Sequence, residues 1–209
     1  MDQNSIWSKR YSSVGKDYLF GTEPNRFLAR REQLLQTGHN AISIADGEGR
    51  NSVWLAELGL EVTGIEISAV AIEKARHLAA ARKVKVDLIQ ADMLSPSWPP
   101  LEIQEAFDWV VGVFIQFVGP EWRERQFEVM KQLTRPGGHI ILQGYTPKQL
   151  EYDTGGPSAV ENLYTDDILK TAFSDWQIQE LVEYEDSIAE GSAHVGRSAL
   201  IGMVARKPE

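Results

Sequence analysis

Two carboxylates and a pair of glycines carry the chemistry this chain is best equipped for. Asp46-Gly47-Glu48-Gly49 follows an apolar run, Ala41 to Ala45, and precedes a helical stretch, Arg50 to Leu58. Glycines there let a ligand approach the backbone and leave its N–H groups free to donate. The next apolar segment, Glu61 to Ile65, ends in Glu66, and the one after it leads to Ala91-Asp92-Met93. A carboxylate at a strand tip can accept from both hydroxyls of a ribose. A second acid one strand further on can accept from an adenine amino group, with Met93 against the base. The candidate cofactor positions are therefore Ala45, Asp46, Gly47, Glu48, Gly49, Asn51, Glu66, Ile67, Ala91, Asp92 and Met93, with Val113 at the end of a later strand. Ser52 stands where the dinucleotide fingerprint has its third glycine, and Glu48 would repel a phosphate. The pattern thus favours a ligand with a ribose and no phosphate, positively charged if charged at all.

These residues must be held by alternating strands and helices. Apolar runs at Ala41–Ala45, Glu61–Ile65, Val84–Ile89, Phe107–Val113 and His139–Gln143 read as strands, with a terminal pair at Trp176–Tyr184 and Ser198–Ala205. Helices are expected around Trp7 and Tyr11, from Pro24 to about Gln36, after the cap Ser68, from Pro120 to about Leu133, and at Thr165. Ser95–Gln104 and Tyr145–Pro157 read as loops, and Glu190–Arg197 as the link between the last two strands. Such β-α alternation argues for a mostly parallel sheet with helices on both faces, which binds ligands at the carboxyl ends of its strands. One domain is expected from 209 residues, with residues 1–40 as a helical lid over a core at 41–209.

Composition narrows the function. A hydrophobic fraction of 43% suits a globular core, and with no cysteine there is no disulfide framework, thiolate metal site or cysteine nucleophile. His39, His77 and His139 share no metal-ligand spacing. The polar start, Met1 to Tyr11, and the lack of a long apolar run point to a cytoplasmic protein with no membrane partner. A net charge of −9 opposes nucleic-acid binding.

Several of these motifs are similar to those of class I S-adenosylmethionine-dependent methyltransferases. Asp46 to Ser52 and Val62 to Ser68 resemble the first two motifs, Ala91-Asp92-Met93 the adenine motif, Phe107-Asp108 the start of strand four and Arg135 to Gly138 the turn before strand five. Trp7, Arg10-Tyr11 and Phe20 to Asn25 resemble the small-molecule branch, which includes the tellurite-resistance and thiopurine methyltransferases. The resemblance implies a Rossmann-like α/β/α sandwich whose seven-stranded sheet has an antiparallel last strand, with S-adenosylmethionine as cofactor and S-adenosylhomocysteine as product. Ser43 stands where the family carries an acid and Ala45 where it carries a glycine. Either Asp46 compensates from the turn or the cofactor is held more weakly.

Methyl transfer from a sulfonium is an in-line displacement, and positioning can supply much of its acceleration. A base is needed only when the nucleophile carries a proton. The resemblance implies a small-molecule acceptor, with a thiol or chalcogen oxyanion among the candidates. The chain lacks the Asn/Asp-Pro-Pro-Tyr/Phe motif of nucleic-acid amino methylation, since Trp98-Pro99-Pro100 does not match it. Trp7, Tyr11 and Tyr18 could close over the cofactor with cation–π contact to the sulfonium, or simply pack an N-terminal helix. Phe20, Arg50, Gln116, Tyr145, His194 and Arg197 are the candidate acceptor contacts. Among them His194 could take a proton and Arg197 could bind an anion, although a solvated glycine-flanked turn would serve equally. A cofactor-binding module without catalysis and an NAD-dependent oxidoreductase are the alternative readings.

Overall fold

Each apolar run is flanked by a helix able to cover it, and the runs assemble into one sheet. The computed structural model describes residues 2–152 and 154–209. Its strands are β1 (Asn40–Ile44), β2 (Glu61–Glu66), β3 (Asp87–Gln90), β4 (Phe107–Val113), β5 (Thr134–Tyr145), β6 (Gln177–Glu190) and β7 (His194–Arg206). Their spatial order is β3-β2-β1-β4-β5-β7-β6. β1 to β5 run parallel, while β7 is antiparallel to both β5 and β6. Strand order reverses between β1 and β4, so the crevice at their carboxyl ends is where a sheet of this kind takes a ligand.

The helices are α1 (Gln3–Ser13), α2 (Arg26–Ala29), α3 (Arg50–Glu57), α4 (Ala69–Arg82), α5 (Pro120–Leu133) and α6 (Asp166–Ala172). Ser68 caps α4 by accepting from Ala71 N–H, Thr165 caps α6, and Pro120 opens α5 where no N–H is needed. One sheet face packs Val110, Ile140 and Met203 against Phe127, Met130 and Leu169 of α5 and α6. The other packs Ala41, Val111 and Ile141 against Phe27, Leu28 and Leu55 of α2 and α3. A smaller cluster of Tyr11, Leu19 and Ala71 sets α1 on α4.

Five elements differ in their bounds from those the sequence suggests. The helix expected from Pro24 to Gln36 is only α2 and a separate 3₁₀ turn, Glu32–Leu34. Asn25 caps α2, its side chain accepting from Phe27 and Leu28 N–H. β3 starts at Asp87 because Lys83, in the left-handed conformation, ends α4, and Val84 bonds back to Ala79 instead of joining the sheet. β5 begins at Thr134, pairing with Phe107 before an irregularity in register, so Pro136-Gly137-Gly138 lies inside the strand. β6 and β7 are far longer than expected, and Gly191-Ser192-Ala193 alone joins them. Asp153, in the expected loop Tyr145–Pro157, and Met1 lie outside the described residues.

Candidate active site

A cavity of about 460 Å³ opens at the carboxyl ends of β1, β2 and β4. Its floor is the turn after β1. Gly47 has φ 63°, and a Cβ there would stand 2.9 Å from the Tyr11 hydroxyl, so only glycine fits under α1. Glu66 closes the tip of β2, its two oxygens accepting from Gly47 N–H (3.0 Å) and Ser68 N–H (2.9 Å). Those bonds fix the carboxylate while leaving lone pairs for a ligand. Burial is the main cause that raises its pKa. Asp92 accepts from Leu94 N–H through one oxygen, which leaves the other available, and the buried Met93 lies beside it on the wall with Ile67 and Ala91.

Asp46 also lines the cavity, but its carboxylate is turned into the protein. It accepts from Ser52 Oγ (2.5 Å) and lies close to Ser43 and to the backbone of Gly64. Burial raises its pKa first, and the two serines oppose that rise. An acid carried on the turn thus reaches down to the strand position that holds Ser43. Ala45 sits at φ 46° on the same wall, in a conformation costly for a residue with a Cβ.

Glu48 is neutralised rather than free. Lys74 of α4 reaches it at 2.9 Å and also donates to Tyr11 O (2.8 Å) and Asp17 O (2.7 Å). This lysine fastens the N-terminal segment to the glycine turn, and no local motif announces it. Trp7 and Tyr11 stack at 5.9 Å on that segment, and both border the cavity with Phe20. Arg10, which sequence reasoning passed over as an acceptor contact, lies 4.6 Å over the Trp7 ring at the cavity mouth. Phe114 and Phe117 after β4, and Gly155 to Ala159, complete the wall and were equally invisible in the sequence. Their contact depends on loops crossing in three dimensions.

The upper end is built from the last hairpin. Ser192 and Ala193 N–H both donate to Leu19 O, docking the hairpin tip on the N-terminal segment. His194 then packs among Phe20 (4.6 Å between centroids), Phe114 (4.7 Å) and Tyr145 (5.7 Å). Burial, then the Arg50 and Arg10 cations, push its pKa down to about 3. It is neutral near pH 7 and a weak base. Arg50 and Glu190 form a buried ion pair at 2.6 Å, and Glu190 also accepts from Asn25 Nδ2. Asn51 accepts from Asn25 N–H. Gln116 borders the cavity with both ends of its amide engaged, donating to Tyr145 O and Asn162 O and accepting from Tyr145 N–H.

Three sequence candidates stand outside the cavity. Tyr18 donates to Lys74 O and packs beside Val53 and Leu78. Gly49 is the N-cap of α3 at φ 88°, where a Cβ would overlap Ala75; it lets α3 and α4 approach. Arg197 is exposed and pairs with Glu185 at 2.5 Å. His194 and Arg197 belong to one strand and are three residues apart, so they face opposite sides of the sheet.

Residues 41–138 match the family model described as a methyltransferase domain. That stretch, a little under half of the chain, is similar to the methyltransferase domain family. It spans β1 to the start of β5 and includes the glycine turn, Glu66 and Asp92. A methyltransferase domain of this fold uses S-adenosylmethionine as cofactor. No curated protein matches the sequence. Among solved structures, a chain from work on the conversion of a disulfide bond into a thioacetal group during echinomycin biosynthesis superposes with a TM-score of 0.78 at 19% identity, covering 99% of this chain and 93% of that one. TehB from Haemophilus influenzae gives 0.69 at 19%, covering 98% and 66%. An S-adenosylmethionine-dependent methyltransferase from Methanosarcina mazei gives 0.68 at 19%, covering 89% and 99%. At these identities the likeness is one of fold.

The walls of the cavity fit that cofactor. Two carboxylates stand one strand apart, a buried methionine lies where a base would pack, and the turn brings no free cation that would oppose a sulfonium.

Proposed function

We propose that this chain transfers the methyl group of S-adenosylmethionine to a small soft nucleophile held under the last hairpin. The observation that carries the reading is the division of one cavity into two ends. Glu66, Asp92 and Met93 form an end suited to an adenosine, and Phe20, Phe114, Tyr145 and His194 form an aromatic end without a carboxylate. Glu66 would hold the ribose, Asp92 the adenine amino group, and Trp7 and Tyr11 would cover the sulfonium, with cation–π attraction of about 0.5–2 kcal/mol. The cofactor supplies an electrophilic methyl carbon. The chain contributes orientation and exclusion of water, which can supply much of the acceleration of such a displacement.

Calorimetry with S-adenosylhomocysteine tests this directly. Binding is expected for the intact chain and none for NAD, and Glu66→Ala should weaken it by about tenfold or more through loss of the ribose bonds. Absence of binding at millimolar ligand would overturn the reading, because the cavity would then serve another molecule.

A further inference from the structure

The aromatic end of the cavity holds two unusual atoms. The Tyr145 hydroxyl and His194 Nδ1 are buried and have no hydrogen-bond partner among the described residues. A buried polar group left unpaired costs about 1–3 kcal/mol, so a ligand that satisfies both is the natural explanation. Both residues border the cavity, Tyr145 at 1% and His194 at 8% exposure. Around them the surfaces are apolar: Phe114 stacks on Tyr145 at 4.6 Å and Phe20 tilts onto His194.

The carboxylates that border this cavity are engaged below it, Asp46 with Ser52, Glu48 with Lys74, and Glu66 with two backbone N–H groups, while Asp92 lies at the adenosine end. The charged and titratable groups facing His194 are Arg10 from α1, Arg50 from α3, Tyr145 from β5, and Glu190, its cross-strand partner on β6, which Arg50 neutralises. The box therefore has a positive bias, no base of useful strength, and two polar atoms. It cannot hold an ammonium against a carboxylate. It also cannot replace the hydration of an oxyanion with several charged oxygens.

Resting on the methyltransferase reading, we propose that His194 and Tyr145 form an acceptor subsite for a flat apolar molecule whose single nucleophilic atom arrives as an anion, an acidic thiol or phenol in its thiolate or phenolate form. Tyr145 donates its O–H to that anion, and His194 serves as a neutral hydrogen-bond partner and ring surface rather than as the base. The proton has already left to solvent. The sulfur or oxygen lone pair forms a bond to the methyl carbon, the bond from that carbon to the sulfonium sulfur breaks, and its electron pair stays on that sulfur as a neutral thioether.

The test compares thiophenol, 4-nitrothiophenol, phenol, 4-nitrophenol, benzylamine and selenite as acceptors, reading S-adenosylhomocysteine release against pH. Turnover is expected with the aromatic thiols or the phenols, the two arms telling sulfur from oxygen. The midpoint of the pH–rate profile should move with the ionisation of each acceptor. Tyr145→Phe should lower kcat/KM for these anions about ten- to a hundredfold while leaving S-adenosylhomocysteine affinity within twofold, and His194→Phe should also lower kcat/KM, by loss of one hydrogen-bond partner, without shifting the midpoint. Preference for benzylamine or selenite, a midpoint fixed at one pH for all acceptors, or an unchanged Tyr145→Phe would overturn the assignment. So would failure of every probe, and intact S-adenosylhomocysteine binding would then show that the cofactor reading survives.

Discussion

His194 illustrates how one side chain links folding to the site. Its pKa falls from the ordinary 6.5 to about 3 because burial and two nearby cations disfavour the charged ring. Between those values the unfolded chain binds a proton that the native chain excludes. Stability is therefore complete above pH 6.5 and is lost as pH falls towards 3. His194→Gln removes that dependence. Its melting temperature should change less between pH 7 and pH 5.5 than that of the natural chain, keeping the smaller contribution of His139, whose pKa burial also lowers. Asp46 and Glu66 are present in both proteins and cancel in the comparison. Equal slopes in thermal melts would show that the imidazole is solvated, and the box around it would then be open.

Two elements meet to roof the cavity, and each depends on one residue. The hairpin tip touches the N-terminal segment so closely that a Cβ on Gly191, at φ 65°, would overlap Leu19 O and the backbone of Gly21. The segment is fastened from below by Lys74. Lys74→Met would leave Glu48 buried without its cation and two backbone carbonyls without a donor. A loss of about 3 kcal/mol is expected, read as a lower denaturation midpoint together with faster protease cleavage before residue 20. A midpoint lowered without faster cleavage would mean that the lysine supports the core and not the segment. The strands and helices of the central sheet were legible in the sequence because a short apolar run followed by a capped helix has few other ways to bury itself. Ser68, Pro120 and Thr165 signal helix starts by local chemistry. The length of β6 and β7 was not legible. Glu180, Glu183, Glu185 and Asp186 make β6 polar along its course, and only pairing with the apolar β7 extends it to Glu190. That extension moved His194 out of a turn and into a strand, and it separated His194 from Arg197.

At the scale of the molecule the cofactor end and the acceptor end differ in how they are encoded. Glu66 and Asp92 were readable because they sit at fixed distances along one chain segment. Arg10, Phe114 and Lys74 were not, since their roles come from segments that meet only in the fold. The sheet also closes without the lid. Neither large core cluster contains a residue before Phe27, whereas Trp7, Tyr11 and Leu19 form their own cluster on α4. A chain lacking residues 1–20 should therefore remain folded, with its far-ultraviolet spectrum close to that of the full protein apart from the loss of α1. The two forms separate on ligand addition. At S-adenosylhomocysteine one hundred times its dissociation constant, the full chain should gain about 2.7 kcal/mol. For a domain of this size that is a rise of roughly 5–10 °C in melting temperature. At the same concentration the shortened chain should gain clearly less, because Trp7 and Tyr11 no longer cover the ligand. An equal rise in both forms would place the ligand wholly on the strand ends, and the N-terminal segment would then act on the acceptor alone.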